Sequence, residues 1–217
     1  MELKSIHLAR VAALLEFQSL DPKGSKTPPE GLNSLAERYN FFKSPSTMDE
    51  LDFQKGVEFV AGRSGAIAID RMFLYASGIV IDTRSSTDDS LSVLRDLLDH
   101  ARANAGAVIS PERLNFVSQI VFRSDLKLSS LNPILQPIAD RLTERVSINM
   151  KHPIRYEPTA FVINTDLSQL KVTPSLFSLE RRTEAPFSEN IYFSSAPLST
   201  TEHLNFLEEI EAALQGG

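Results

Sequence analysis

The sequence predicts an α+β fold with a mainly antiparallel sheet of about six or seven strands and helices packed on one face. Three observations support this prediction. Apolar runs rich in β-branched and aromatic residues alternate with short turn segments, leucines recur at helical spacing, and hydroxyl or acidic residues precede the helical stretches. Because strands come in groups that a helix follows, an antiparallel sheet is favoured over a parallel one. We expect one globular α+β domain over residues 1–217.

The best-specified stretch covers residues 66–101. Two apolar runs flank Ala76-Ser77-Gly78, which predicts a hairpin with a three-residue connection and with Gly78 at a positive φ. A polar segment follows, and apolar residues then recur at helical spacing: Leu91, Leu94, Leu97, Leu98 and Ala101. The pattern predicts an amphipathic helix that is capped by Ser86, Thr87 or Asp88 and ends near Gly106.

The elements before this stretch are less sharply specified. Residues 6–17 fit either a helix or a buried strand, and we favour a helix because Ala and Leu are good helix formers. Residues 21–26 have the composition of a loop, and Thr27-Pro28-Pro29-Glu30 is typical of a helix start. One helical turn at 48–51, a strand at 57–60 and a turn at 63–65 complete this part and lead into a three-stranded meander.

The second half repeats the same types of element. Residues 116–122 form an apolar run typical of a strand, and apolar residues from Leu131 to Val146 predict a helix whose regular part begins near Pro137. Strands are expected at 160–164, 176–181 and 190–194. Ser199-Thr200-Thr201-Glu202 is a capping-box sequence that places the start of the final helix at Ser199.

Two segments share an order of elements, which suggests an internal βββα duplication. Residues 57–104 and 159–214 each contain three predicted strands, a Ser/Thr-rich loop and a helix. The helical stripes of the two segments also align: Leu91, Leu94, Leu97 and Ala101 match Leu204, Leu207, Ile210 and Leu214. The alternative is convergence, because capping and helical periodicity require similar residues in any strand–cap–helix unit.

Composition excludes several classes of function. The chain has no cysteine, so disulfides, thiolate metal sites and cysteine nucleophiles are absent. Its net charge of −6 disfavours binding to nucleic-acid phosphates. No apolar run reaches the about 18 residues that a membrane span needs, and charged residues interrupt any signal-peptide core near the amino terminus. We therefore expect a cytoplasmic protein without a membrane partner.

No catalytic motif is visible in the sequence. Phosphate-binding loop, zinc-protease and nucleophile-elbow patterns are missing, and the four histidines are scattered without helical metal-pair spacing. We expect His100 and His203 to be surface residues, because single histidines usually are. The sequence thus gives no reason to expect a metal or a cofactor.

The loop 82–89 is the one candidate ligand site. It joins a strand end to a helix start, where free backbone N–H groups and the helix dipole favour an anion. The candidate binding residues are Asp82, Arg84, Ser85, Ser86, Thr87 and Asp88. Arg84 could bind a phosphate or carboxylate, and the acidic residues could hold a divalent cation. The simpler interpretation is that these residues only cap the helix, since hydroxyls and aspartates are preferred there.

Two functional hypotheses follow. The leading one is a non-enzymatic protein-interaction, regulatory or assembly subunit that binds a protein partner or itself, as a homodimer for example. Aromatic residues at loop ends could form the partner surface, although burial in the core is the more common fate of such residues: Phe41, Phe42, Phe187 and Tyr192. The alternative is a phosphate- or nucleotide-binding protein, or a metal-assisted phosphoryl-handling enzyme, that uses the loop 82–89.

Overall fold

The computed structural model of this chain describes residues 1–19, 28–105, 108–125, 128–131, 133–166, 168 and 173–215. The chain forms two compact units. Unit 1 comprises Met1–Ser5, Ile120–Ala196 and Glu202–Gly217, and unit 2 comprises Ile6–Gln119 and Pro197–Thr201. The predicted loop at 21–26, the predicted cap Thr27 and the predicted helix stop Gly106 lie outside the described residues.

Helices and strands are both abundant, so the α+β class is confirmed. The helices are α1 (Pro28–Arg38), α2 (Thr87–Ala105), α3 (Leu135–Met150) and α4 (Thr200–Gln215). The strands are β1 (Glu2–Ser19), β2 (Val57–Ser64), β3 (Ile67–Tyr75), β4 (Gly78–Thr83), β5 (Val108–Arg123), β6 (Ala160–Ile163), β7 (Phe177–Arg181) and β8 (Ile191–Ala196). Short 3-10 turns occur at Met48–Leu51, Leu128–Ser130 and Phe187–Glu189.

The strands form an eight-stranded antiparallel sheet in the order β2-β3-β4-β1-β5-β8-β7-β6. The meander predicted from the sequence is confirmed, because β2 pairs with β3 and β3 pairs with β4. Counted inward from its two ends, the sheet repeats the same order, β2-β3-β4-β1 and β6-β7-β8-β5. A duplication would produce this order, and the duplication itself stays a prediction.

The core of unit 2 is formed by one face of the sheet together with α1 and α2. Helix α2 buries the apolar stripe that its sequence predicts, with Leu94 and Leu97 at 1% and 3% exposure. Helix α1 contributes Leu32, and the sheet contributes large side chains such as Phe59 and Met72. Burying an aliphatic side chain of this size stabilises the fold by about 1.5–3 kcal/mol. Unit 2 therefore has an apolar core of its own.

Unit 1 combines the strands β6, β7 and β8 with α3 and the greater part of α4. Strand β7 pairs antiparallel with both of its neighbours. Leu179 and Tyr192 are fully buried, and the ring of Phe122 stacks on that of Tyr192 at a centroid distance of 5.7 Å. Helix α3 differs from the other helices, because none of its residues is buried.

The helix predicted for residues 6–17 is wrong. This segment belongs to β1, which pairs antiparallel with β4 and places Val11 opposite Ile81. Ala9, Val11 and Ala13 are buried at alternate positions, which is the period of a strand. Helix propensity differs by at most about 0.7 kcal/mol per ordinary residue, which is less than the gain from burying one side chain in the sheet. The additional strand explains why the sheet has eight strands.

The role predicted for Gly78 is also wrong. The hairpin connection has two residues, Ala76 and Ser77, and Gly78 is the first residue of β4, opposite Tyr75. Positive φ angles occur at other glycines, including Gly65. A Cβ atom on Gly78 would lie 2.6 Å from the carbonyl oxygen of Ala13 on β1. Glycine is needed at this position because the two strands approach closely.

Smaller differences concern element ends. Strand β2 continues to Ser64, so its turn contains Gly65 and Ala66 instead of residues 63–65. Helix α4 begins at Thr200, one residue after the expected start. Helix α3 begins at Leu135, so Pro137 lies in the first turn, where it is tolerated. In the part of the chain that the structure describes, no helix has the length and hydropathy of a membrane span.

Candidate functional site

Asp82, the first residue of the candidate loop, is buried and forms an ion pair with the partly exposed Arg10. Its side chain is 3% exposed, and both of its oxygens accept hydrogen bonds from Arg10 on β1. The distances are 2.7 Å from Nε to Oδ1 and 2.8 Å from Nη2 to Oδ2. Because Arg10 and Asp82 face each other across paired strands, the contact fastens β1 to β4. Both oxygens of Asp82 are therefore engaged by the protein.

The hydroxyl groups around the start of α2 form a buried network. Ser90 Oγ donates to the carbonyl oxygen of Ala9 at 2.8 Å and accepts from Thr83 Oγ1 at 2.9 Å. Ser86 Oγ accepts from the backbone N–H of Asp89 at 3.0 Å, so Ser86 is the N-cap. One of the three caps proposed from the sequence is thereby confirmed.

Thr87 makes a reciprocal contact with the first residue of α4. The backbone N–H of Thr87 donates to Thr200 Oγ1 at 3.0 Å, and that of Thr200 donates to Thr87 Oγ1 at 2.8 Å. Both residues lie in unit 2 and are buried. Each helix start thus supplies the acceptor that the other needs. The backbone N–H of Thr87, which the anion-binding hypothesis requires to be available to a ligand, is therefore already bound to Thr200.

The remaining candidate residues are exposed at the surface. Arg84 is 69% exposed at its side chain, and its Nη2 lies 3.3 Å from an oxygen of Asp70. Ser85 and Asp88 are exposed as well. The loop 82–89 therefore separates into buried residues that bind other parts of the protein and exposed residues around Arg84. Arg84 lines a groove of unit 2, and the lining of that groove includes no other candidate residue of this loop.

His203 is buried, which contradicts the expectation of a surface residue. It is 0% exposed, lies edge-on to the ring of Phe177, and its Nε2 is 2.8 Å from Ser194 Oγ. Ser194 is equally buried and donates to the carbonyl oxygen of Ser178 at 2.7 Å. A serine and a histidine at this distance resemble a nucleophile and its base, but no substrate reaches two fully buried side chains. We assign the pair to the core of unit 1.

Unit 2 also contains a groove that sequence reasoning missed. It has a volume of about 650 Å³, and three arginines line it: Arg38, Arg63 and Arg84. Arg38 donates to Asp96 at 2.6 Å, and this bond lowers the pKa of Asp96. Burial and a hydrogen bond to the same carboxylate raise the pKa of Tyr39. The arginines lie far apart in the sequence, so no local motif could have revealed the groove.

A second groove lies in unit 1 and has a balanced charge. Its volume is about 630 Å³, and its lining includes Arg155 and Arg181 together with Asp125 and Glu157. Arg181 donates to the backbone oxygen of Phe187 and to the hydroxyl of Tyr192. Its charge also lies 4.9 Å from the ring centroid of Phe187. Because the guanidinium of Arg181 already binds residues of unit 1, this groove is the weaker candidate for a ligand site.

The aromatic residues proposed as a partner surface divide into two groups. Tyr192 is fully buried, and Phe41 packs between Tyr39 and Phe59, so these two anchor the core. Phe42 is 91% exposed and Phe187 is 38% exposed. More of the exposed large apolar residues lie on α3 and β6.

Comparisons with protein-family models and with curated proteins gave no match to this chain. The described residues contain no group of three or more histidine, aspartate or glutamate side chains placed to hold a metal ion.

Proposed function

We propose that this chain is a non-enzymatic protein-interaction subunit that assembles with a second copy of itself through unit 1. The observation that carries the proposal is the exposed, apolar edge strand β6. This strand is the last in the sheet order, and Val162 and Ile163 are 56% and 48% exposed. The outer side of an apolar edge strand presents a row of backbone donors and acceptors that another strand can use. A cytoplasmic location is part of the proposal and fits the absence of cysteine.

The other edge strand of the sheet, β2, is covered by a neighbouring segment of the chain, whereas the outer edge of β6 is open. Residues Phe42 and Lys43 run along the outer side of β2. The backbone N–H of Lys43 donates to the carbonyl oxygen of Val60 at 3.2 Å, and Val60 returns the bond at 2.9 Å. Proteins commonly cover an edge in this way to prevent association. Among the described residues, no comparable segment pairs with the outer side of β6.

Helix α3 adds apolar area to unit 1. Leu135, Ile138 and Leu142 lie on one side of the helix, and they are 38%, 54% and 45% exposed. The opposite side of the helix binds the chain that follows it: Ser147 Oγ accepts from the backbone N–H of Ile154 at 3.1 Å. The apolar stripe thus faces away from the contacts that hold the helix. Exposed stripes of this kind mark interaction surfaces.

A second copy is the occupant that suits this edge best. The paired strands of the sheet are antiparallel, and an antiparallel β6–β6 pair across a twofold axis would continue that pattern. A twofold interface places the same patch on both subunits, so it requires no other protein. In this arrangement Val162 and Ile163, which point to opposite faces of the sheet, each gain cross-strand neighbours from the second copy.

The test is the mass of the protein in solution. We expect light scattering after size-exclusion chromatography to give about twice the chain mass at high micromolar concentration. Val162→Lys places a charge on the edge and should shift the protein to a monomer without loss of secondary structure. The matched control is Phe42→Lys, which replaces an exposed apolar residue of unit 2 and should leave the dimer intact. A monomer for the unmodified chain at all concentrations contradicts self-assembly.

A further inference from the structure

Small residues, as well as three arginines, give the arginine-lined groove of unit 2 its shape. Small residues form much of its lining: Ala61, Gly62, Gly65 and Ala68. Nothing lies within 4 Å of the place that a Cβ atom on Gly65 would take, so this part of the floor is open. Ala61 adopts a left-handed conformation with φ of 54°, which is uncommon for a residue with a Cβ atom. Backbone strain of this kind often accompanies binding sites. Three long cationic side chains border this shallow floor.

Neighbouring contacts hold two of the arginines in position. The guanidinium of Arg38 lies 5.7 Å from the ring centroid of Tyr39 and binds Asp96. The backbone N–H of Arg63 donates to the carbonyl oxygen of Tyr39 at 2.7 Å, so the chain at Arg63 is fixed beside the end of α1. Tyr39 is itself 1% exposed. The two positions therefore belong to one rigid corner of unit 2.

The charges of the groove are unbalanced. Asp70 is the one carboxylate in its lining, against the three arginines, and Asp96 neutralises Arg38 from outside the lining. Asp70 contacts Arg84 at 3.3 Å, which is long for a charged hydrogen bond. Among the residues that the structure describes, no side chain forms an ion pair or a hydrogen bond with the guanidinium of Arg63. This excess of positive charge occurs in a chain whose net charge is −6.

We propose that this groove binds a small phosphorylated molecule, with Arg63 as the principal anchor and Arg84 as a second ligand to the same anion. Guanidinium groups offer planar pairs of donors that match phosphate oxygens. Arg84 can leave the weak contact with Asp70 because exposed pairs of this kind add little stability. The volume of about 650 Å³ lies within the range of sites for small ligands. The site is distinct from the buried part of the loop 82–89 and does not depend on self-assembly through unit 1.

The experiment uses thermal unfolding of the full chain with pyrophosphate as the probe. The reference is sodium chloride at the same ionic strength. The melting temperature measured in it is subtracted, which removes the effect of general charge screening. At a tenfold excess over the dissociation constant, we expect pyrophosphate to raise the melting temperature by about 3 °C. Arg63→Gln should remove most of this shift and weaken binding in calorimetry at least about tenfold, since it deletes a charged contact.

The matched control is Arg71→Gln, an exposed arginine of β3 that pairs with Glu58 and does not line the groove. This variant should keep the full shift. Equal shifts for the two variants, or no shift of the unmodified chain at millimolar pyrophosphate, would overturn the proposal. A citrate shift as large as that of pyrophosphate would overturn the assignment to phosphate. Melting temperatures without ligand show whether Arg63→Gln still folds, and the solution mass is a separate readout that tests self-assembly alone.

Discussion

The ion pair between the partly exposed Arg10 and the buried Asp82 predicts an asymmetry between two substitutions. In Arg10→Met, the Asp82 carboxylate stays in place with 3% exposure and loses both of its charged hydrogen bonds. Removing one partner of a buried pair in this way costs about 3–5 kcal/mol. In Asp82→Asn, the side chain of Arg10 is 38% exposed and can recover hydration. The expected cost is then about 1.5–3 kcal/mol, the net value of hydrogen bonds to a charged group.

Urea unfolding followed by circular dichroism measures both costs. We expect the midpoint of Arg10→Met to fall further than that of Asp82→Asn, by an amount that corresponds to about 2 kcal/mol. The double variant should cost less than the sum of the single variants, because the two side chains act together. Equal costs, or a cost below about 0.5 kcal/mol for Arg10→Met, would refute the argument from burial. A gain in stability for Asp82→Asn would instead support a ligand role, since binding groups are often held at the expense of stability.

Two further predictions concern the start and the middle of α2. Thr87→Val keeps the shape of the side chain but removes the acceptor of the Thr200 N–H, so it should cost about 1–3 kcal/mol in urea unfolding. Ser92→Ala, on the exposed side of the same helix, should cost less than about 0.5 kcal/mol, and equal costs would contradict the role of the reciprocal bonds. The hydrogen bond from Arg38 lowers the pKa of Asp96 below the ordinary value of an aspartate, so the carboxylate stabilises the fold at pH values above that ordinary pKa. This stability is lost as the pH falls through the lowered pKa, and unfolding measured from pH 5 to pH 2 should show a smaller loss for Asp96→Asn than for the unmodified chain. Asp99→Asn is the control, and matching losses in both variants would contradict the assignment.

Local signals explain what could be predicted from the sequence. The meander from β2 to β4 follows from apolar runs separated by turn residues, and α2 follows from its leucine spacing. The cap at Ser86 was among the three residues that capping preference indicated. In each case the residues that carry the signal also make the contact, so spacing along the chain was sufficient.

Nonlocal contacts explain what could not be predicted. Residues of β1 have helix-forming composition, and it is pairing with neighbouring strands, β4 among them, that makes them a strand. Gly78 resembled a turn glycine because nothing in its vicinity reveals the carbonyl of Ala13. His203 lies four residues before Leu207 and thus on the same side of α4, which was a usable but weak sign of burial. The groove required Arg38, Arg63 and Arg84 to meet from three separate elements.

The bond from Ser90 to the carbonyl of Ala9 restricts how α2 can move over the strand beneath it. One turn of a helix advances by about 5.4 Å. If α2 slid by a single turn, the hydroxyl of Ser90 would be buried without a hydrogen-bond acceptor. The distance from the end of β4 to Ser90 is consequently fixed. An added residue between Thr83 and Ser86 has to bulge outward toward solvent, and a deleted one has to unwind the first turn of the helix. Natural or engineered length variation in this chain should therefore accumulate elsewhere than at this connection.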